Sequence, residues 1–140
     1  MFIDSSAFVA VLAGEPDQSR IIDAIEASGH RYTSGLVRLE TVMRISTRLN
    51  LAVEDAELAF DQLIEECGIT VVSISDGISR KAVDAFARYG KGRGHPAQLN
   101  LADCMSYAVA RAYRCPLLFI GKDFIHTDLK SVLEDPAPTE

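Results

Sequence analysis

Tryptophan is missing from the 140 residues, and cysteine, histidine and methionine appear only three times each. Cys67, Cys104 and Cys115 are odd in number and form no C-x-x-C pair. That excludes a disulfide framework and leaves free thiols of a reducing cytoplasm as the simpler reading. His30, His95 and His126 are scattered, with neither H-E-x-x-H nor a Cys/His set, which argues against zinc. Any metal must then be held by oxygen, and oxygen ligands favour Mg²⁺ or Mn²⁺. No run of 18 apolar residues is present, so no membrane span is expected. The opening "MFIDSSAFVAVLAG" is apolar but carries Asp4 and lacks a basic n-region, so it is not read as a signal peptide. Positive charge is also scarce: 14 Lys and Arg stand against 20 Asp and Glu, a formal net charge of −6.

An acidic balance argues at first sight against nucleic acid as a partner. The distribution weakens that objection. Between Arg80 and His95 stand Arg80, Lys81, Arg88, Lys91 and Arg93 against the single acid Asp84. Such a stretch suits a flank that steers phosphates, with Lys91 and Arg93 in its glycine-rich part; a solvated helix face and loop is the plainer reading.

What is present is alternation. "MFID" reads as a first strand, and "SSAFVAVLA" as a helix closed by Gly14. Pro16 opens a second helix with Ile21, Ile22 and Ile25 on one face. "RYTS" is a weak strand, and "GLVRLETVMRISTRLN" a helix with Leu36, Leu39, Met43 and Leu49 at helical spacing. "VEDAELAFDQLIEECG" is another amphipathic helix. "ITVVSI" is continuous and β-branched, as a strand buried on both faces should be. "DGISRKAVDAFARYG" is helical, with Asp76 as its expected N-cap, and a glycine-rich loop spans 90–98. "NLADCMSYAVARAY" reads as a helix apolar almost all round, then "PLLFIG" as a last buried strand and "KDFIHTD" as a turn. Strands alternating with helices imply one α/β domain over residues 1–133, a central parallel sheet covered by helices on both faces. The acidic, proline-broken stretch 134–140 reads as a flexible tail.

In such a sheet, ligands bind beyond the carboxyl ends of the strands, which directs attention to acids. Asp4 ends the first strand, while Asp123 follows the last one with Asp128 five residues on. Glu40 and Asp103 lie on helices among apolar neighbours. Each has a bland reading: Glu40 can pair with Arg44 at i, i+4, and Asp4, Asp123 and Asp128 can cap helices or turns. Asp103 is harder to explain this way, because a buried carboxylate costs several kcal/mol without compensation. Carboxylates gathered at one sheet edge also repel, by about 4 kcal/mol per pair at 4 Å and an effective dielectric of 20. A divalent cation turns that repulsion into a ligand set.

The chain resembles the VapC-type toxins, small PIN-domain ribonucleases of bacterial type II toxin–antitoxin pairs. The resemblance is carried by "MFIDSSAFVAVLAGEP", by Glu40 in the third helix, by "YGKGRGHPAQLNLADCMSYAVA" and by "PLLFIGKDFIHTD", in order across almost the whole chain. A departure is Ala102, where similar sequences often have glycine; the methyl group leaves the adjoining aspartate in place. The resemblance implies a PIN-like three-layer α/β/α fold. It matches Asp4, Glu40 and Asp103 to three acidic metal ligands and Asp123 to a less regular fourth, with Asp128 its competitor. Ser6 matches a hydroxyl that orders the first aspartate, and Asn100 flanks the Asp103 position. The implied activity is Mg²⁺- or Mn²⁺-dependent hydrolysis of RNA phosphodiesters by a water of lowered pKa, with one metal or two about 3.5–4 Å apart. A VapB-type antitoxin, a homodimer, a cytoplasmic location and no membrane association are implied with it.

Rival readings fail on particular residues. A haloacid-dehalogenase-type phosphatase wants a second aspartate two residues after the first, where Ser6 stands. A response-regulator receiver needs an acidic pair after the first strand and a phosphoacceptor after a central one; Lys122 fits, but Asp4 is single. The remaining alternative is a non-catalytic PIN-fold module binding RNA or protein, which metal-dependent RNA cleavage would exclude.

Overall fold

Apolar β-branched and aromatic runs form the strands, and each is short. The computed structural model describes residues 1–133, so the stretch 134–140 lies outside the described residues. In order along the chain the elements are β1 (Phe2–Ile3), α1 (Ser5–Leu12), α2 (Gln18–Ala27), β2 (Tyr32–Ser34), α3 (Gly35–Arg48), α4 (Val53–Glu66), β3 (Thr70–Val72), α5 (Asp76–Tyr89), α6 (Leu101–Ala112) and β4 (Leu117–Leu118). The sheet order is β3-β2-β1-β4, with every pairing parallel. Phe2 lies opposite Tyr32 on one side and Leu117 on the other, which makes β1 central and wholly buried.

The first two crossovers step one way across the sheet and the third returns past β1. Right-handed crossovers therefore place α1–α4 on one face and α5–α6 on the other. The packing follows this division, with a smaller contact of α3 with α6 across it: α1 meets α2, α3 and α4, α3 meets α4, and α5 lies along α6. The result is the expected three-layer α/β/α arrangement. Its main core joins Phe2, Ile3, Phe8, Ile21, Ile25 and Phe60 to Tyr107, Leu117, Leu118 and Phe124.

Several local expectations are corrected. The "ITVVSI" strand is not buried on both faces: β3 is an edge strand, with Thr70 and Val71 exposed. Asp76 does not cap α5. The cap is Ser75, whose hydroxyl accepts the Ile78 N–H at 3.1 Å, while Asp76 turns to Arg80 at 3.0 Å in solvent. α2 begins at Gln18, two residues beyond Pro16. In α3 the buried stripe is Val37, Thr41, Val42 and Ile45, which leaves Leu39 and Met43 outside at 56% and 61% exposure.

One glycine fixes the loop that delivers α6. A bridge between Gly90 and Leu99 closes residues 91–98 into a tight excursion. A Cβ at Gly90 would stand 2.5 Å from the Phe86 carbonyl oxygen, which is backbone and cannot swing away. Gly90→Ala is therefore expected to cost about 1–3 kcal/mol, an overpacking penalty. Chemical denaturation would read this as a lower midpoint at unchanged m-value.

Candidate active site

Asp4 is the first residue beyond β1. Its N–H bonds the Leu118 carbonyl at 3.0 Å, and its side chain caps α1. Oδ2 accepts the Ser6 N–H at 3.1 Å and the Ser6 hydroxyl at 2.7 Å, and Oδ1 accepts the Ser106 hydroxyl at 3.0 Å. Ser6 Oγ in turn accepts the Ile120 N–H at 3.0 Å. Three of these hydrogen bonds, from Ser106 to Asp4, from the Asp4 N–H to Leu118 and from the Ile120 N–H to Ser6, tie the end of β1 to α6, to β4 and to the segment after it. Capping is real for Asp4, yet it engages only Oδ2, and the carboxylate lies buried where β1 and β4 end.

Glu40 reaches the same edge from α3. Ser34 ends β2 and caps that helix through the Val37 N–H at 3.3 Å, placing Glu40 in the second turn. The plainer Glu40–Arg44 pairing is not made; instead the buried Ser5 hydroxyl donates to Glu40 Oε1. Asp103 arrives on the first turn of α6 in a capping box with Asn100. The Asp103 N–H donates to Asn100 Oδ1 at 2.8 Å, and the Asn100 N–H donates to Asp103 Oδ2 at 3.1 Å. No hydrogen bond to Asp103 Oδ1 is made from the described residues.

The electrostatics show which acids share one neighbourhood. Asp103 is buried, and that burial pushes its carboxyl up from an ordinary 3.8 to about 7. The Asn100 N–H opposes the rise, while the charges of Asp123, Asp4 and Glu40 add to it. Asp103 therefore feels all three of the other expected acids. Asp123 itself is exposed in the turn after β4.

Asp128 lies elsewhere. No helix forms over residues 127–133, so Asp128 has none to cap. Its Oδ1 accepts the Tyr107 hydroxyl at 2.6 Å, and its Oδ2 faces Arg88 at 3.8 Å and Arg111 at 3.9 Å. The Tyr107 hydroxyl chiefly, with Arg111 and Arg88, holds the Asp128 carboxyl below its ordinary value. Burial and the same hydrogen bond push Tyr107 up. Asp128→Ala should thus mainly cost stability, about 1 kcal/mol for a half-exposed charged hydrogen bond. The loss is full at neutral pH and fades only as pH falls below the ordinary carboxylate range toward the lowered Asp128 value, which paired melts over a pH series downward from 7 would check. Lys91 and Arg93 stay exposed in the loop, Arg93 over the Phe86 ring at 5.7 Å.

Sequence reasoning missed Ser5 and Ser106. Ser106 carried a usable signal, since it stands three residues after Asp103 in the same apolar helix and so shares its face. Ser5 carried none beyond its place next to Asp4.

The donor set suits a hard divalent cation by its chemistry, being oxygen throughout. As placed, no three His, Cys, Asp or Glu side chains among the described residues close tightly enough to grip an ion. The serine hydroxyls do not exhaust the carboxylates, because each oxygen accepts at two lone pairs. In donor chemistry the residues fit such a cation: the acids whose charges Asp103 feels are all carboxylates, and Asp103 Oδ1 is unengaged.

Comparison with known proteins decides the family. The PIN domain model matches residues 1–130. The chain belongs to the PIN-domain family. Within it, the chain is similar to Ribonuclease VapC28 of Mycobacterium tuberculosis, 37% identical over 134 residues that cover 96% of this chain and 98% of the relative. It is likewise similar to Ribonuclease VapC30 of the same organism, 39% identical over 132 residues, covering 94% and 98%. These matches place it among the VapC-type ribonucleases. The fold agrees with the crystal structure of VapC20 of Mycobacterium tuberculosis, described as a sarcin–ricin-loop-cleaving toxin. That likeness has a TM-score of 0.71 at 18% identity and covers 91% of this chain and 95% of that one. A toxin–antitoxin complex from Klebsiella pneumoniae contains a similar chain, with a TM-score of 0.67 at 16% identity and coverage of 91% and 92%. VapC-type PIN ribonucleases are divalent-metal enzymes, in keeping with the oxygen donors at this sheet edge.

Proposed function

We propose that this VapC-type chain hydrolyses RNA phosphodiesters with Mg²⁺ or Mn²⁺ held by Asp4, Glu40, Asp103 and Asp123. The observation that carries the reading is the burial of two carboxylates, Asp4 where β1 ends and Asp103 in the first turn of α6, with Asp103 within reach of the charges of Asp123, Asp4 and Glu40. When bound, the cation would polarise the phosphoryl oxygen and lower the pKa of the attacking water. The chain's own residues do the positioning. Ser6 and Ser106 fix both oxygens of Asp4, Ser5 fixes Glu40, and Asn100 sets the rotamer of Asp103. Asp103 can release a proton near neutral pH as a cation arrives, which makes loading pH-dependent. Lys91 and Arg93, exposed on the loop that leads into α6, would steer RNA phosphates.

The partner in this reading is a VapB-type antitoxin, supported by the toxin–antitoxin complex of similar fold. Leu39 and Met43, one turn apart and exposed on α3, offer an apolar strip for it. A homodimer and a cytoplasmic location complete the proposal. Among the described residues no helix is long and apolar enough to cross a membrane.

The test is cleavage of RNA by the purified chain. Cleavage should require Mg²⁺ or Mn²⁺ and stop in excess EDTA; undiminished cleavage in EDTA would sink the mechanism. Asp123→Ala should reduce cleavage more than Asp128→Ala, and both less than Asp4 or Asp103 substitutions, since water can replace an outer ligand of Mg²⁺. Kinetics over a Mg²⁺ titration would rank them, and loss confined to Asp128→Ala at normal melting temperature would reverse the assignment.

A further inference from the structure

We propose that the amino-terminal edge of the sheet, opposite the acids, is a second RNA contact that holds single-stranded RNA by its phosphates and bases. This rests on the RNA-cleaving reading above and adds a place for substrate outside the acidic site.

Two adjoining hollows carry the inference. One, of about 710 Å³, is lined by Lys81, Arg111, Arg114 and Lys130 among others, with Asp128 as its one acid. The other, of about 720 Å³, is lined by Met1, His30, Tyr32 and Tyr113. Arg114, Cys115, Pro116 and Lys130 line both, so the two hollows share a rim that carries Arg114 and Lys130. Met1, Tyr32 and Pro116 lie at the starts of β1, β2 and β4, which puts the hollows at the far end of the sheet from Asp4. α6 links the ends, with Asp103 in its first turn and Arg111 in its last, about 12 Å apart along the axis.

The charge here is anomalous for a chain of net −6. Lys81, Arg114 and Lys130 make no side-chain hydrogen bond or ion pair with any described residue. The single acid, Asp128, already serves Tyr107, Arg88 and Arg111. Beside the cations stands an aromatic row. His30 stacks on Tyr32 at 6.2 Å and 13°, and Tyr32 meets Tyr113 at 4.8 Å. Tyr113 is 41% exposed, so it offers a face. Cations that track phosphates next to rings that stack bases are the combination by which proteins hold single strands irrespective of sequence.

Arg114 adds a second line of support. It occupies the left-handed region, at φ 51°, two residues beyond the end of α6. Glycine or asparagine is the inexpensive choice there, and another residue bears strain. The strain is borne by the one arginine that lies between the two hollows.

The experiment measures binding of a short labelled single-stranded RNA in EDTA, across a salt titration. The Arg114→Asn, Lys130→Gln double variant should bind at least ~10-fold more weakly at 0.1 M salt. Its slope of log affinity against log salt should be shallower by about 1.4, two phosphate contacts on a single strand. Tyr113→Leu should weaken binding ~5- to 20-fold with little change of slope, while Tyr113→Phe, which keeps the ring, should bind like wild type. Arg114→Asn relieves the left-handed strain, so its melting temperature should hold or rise, which separates lost affinity from lost fold. With Mg²⁺, the double variant should raise KM for long RNA at unchanged kcat and leave cleavage of a dinucleotide untouched. Unchanged affinity and slope in the double variant would overturn the proposal. So would loss of antitoxin binding with RNA binding intact, which would make the hollows a protein site. If wild type binds in EDTA with the predicted variant effects yet cleaves nothing with Mg²⁺, the ribonuclease reading falls and the second RNA contact stands.

Discussion

Asp103→Asn should give a folded chain that no longer cleaves RNA and that melts above wild type in EDTA at pH 8. Both halves follow from one carboxyl. Its folded pKa of about 7 lies above the ordinary 3.8, so the native state binds the extra proton between those values. The sign is fixed by linkage: metal-free stability is full below about pH 4, falls as pH rises through 7, and stays reduced above. At 1.36 kcal/mol per pKa unit the penalty has an upper bound of roughly 4 kcal/mol, spread over the coupled acids. Recovering even about 1 kcal/mol would raise the melting temperature by about 3 °C in a chain of this size. Asparagine keeps a side-chain oxygen for the Asn100 N–H, so the capping box survives the change. The loss of cleavage should exceed the 10- to 100-fold typical of residues that merely orient a metal ligand. A lower melting temperature at pH 8 with partial cleavage retained would mean that Asp103 serves the fold and not the metal.

The second large effect is that divalent cations should stabilise the protein in proportion to what pH has removed. In melts with Mn²⁺ at 100 times its dissociation constant, binding to the native state alone contributes about 2.7 kcal/mol, or about 8 °C for this chain. That shift should be present at pH 8 and nearly absent at pH 5, where Asp103 holds its proton and a cation must compete for the site. Asp103→Asn should respond weakly at both. A shift of equal size at pH 5 and pH 8, or one retained in Asp103→Asn, would place the cation elsewhere.

These expectations reach back to features legible in the sequence. The alternation of apolar strands with amphipathic helices was visible, because periods of 2 and 3.6 are written in the residues themselves. So was the anomaly of Asp103, a lone acid in an apolar helix that proves buried and capped by Asn100. What stayed hidden depends on neighbours. "ITVVSI" is apolar enough for a central strand, and only the sheet order puts β3 at an edge. Leu39 and Met43 have the spacing of a core stripe, but α3 rotates Val37, Thr41 and Ile45 inward instead. Asp76 and Ser75 are both good caps, and the register of one residue decided for the serine. Asp128 reads as a cap because its partner Tyr107 is 21 residues away, on a helix whose face no local pattern reveals. Ser5, which meets Glu40 across 35 residues, is silent for the same reason, and Ser106, which meets Asp4 across 102, is legible only through its place on the Asp103 face of the helix.

Titration calorimetry of Mn²⁺ into the purified chain at pH 7.5, in two buffers of different ionisation enthalpy, tests the carboxylate-held cation most directly. Wild type should bind Mn²⁺ and release a fraction of a proton from Asp103, seen as a buffer-dependent heat, and Asp103→Asn should lose both signals. Binding unchanged in Asp103→Asn, or no binding by wild type while it still cleaves RNA, would contradict a metal site built on these acids.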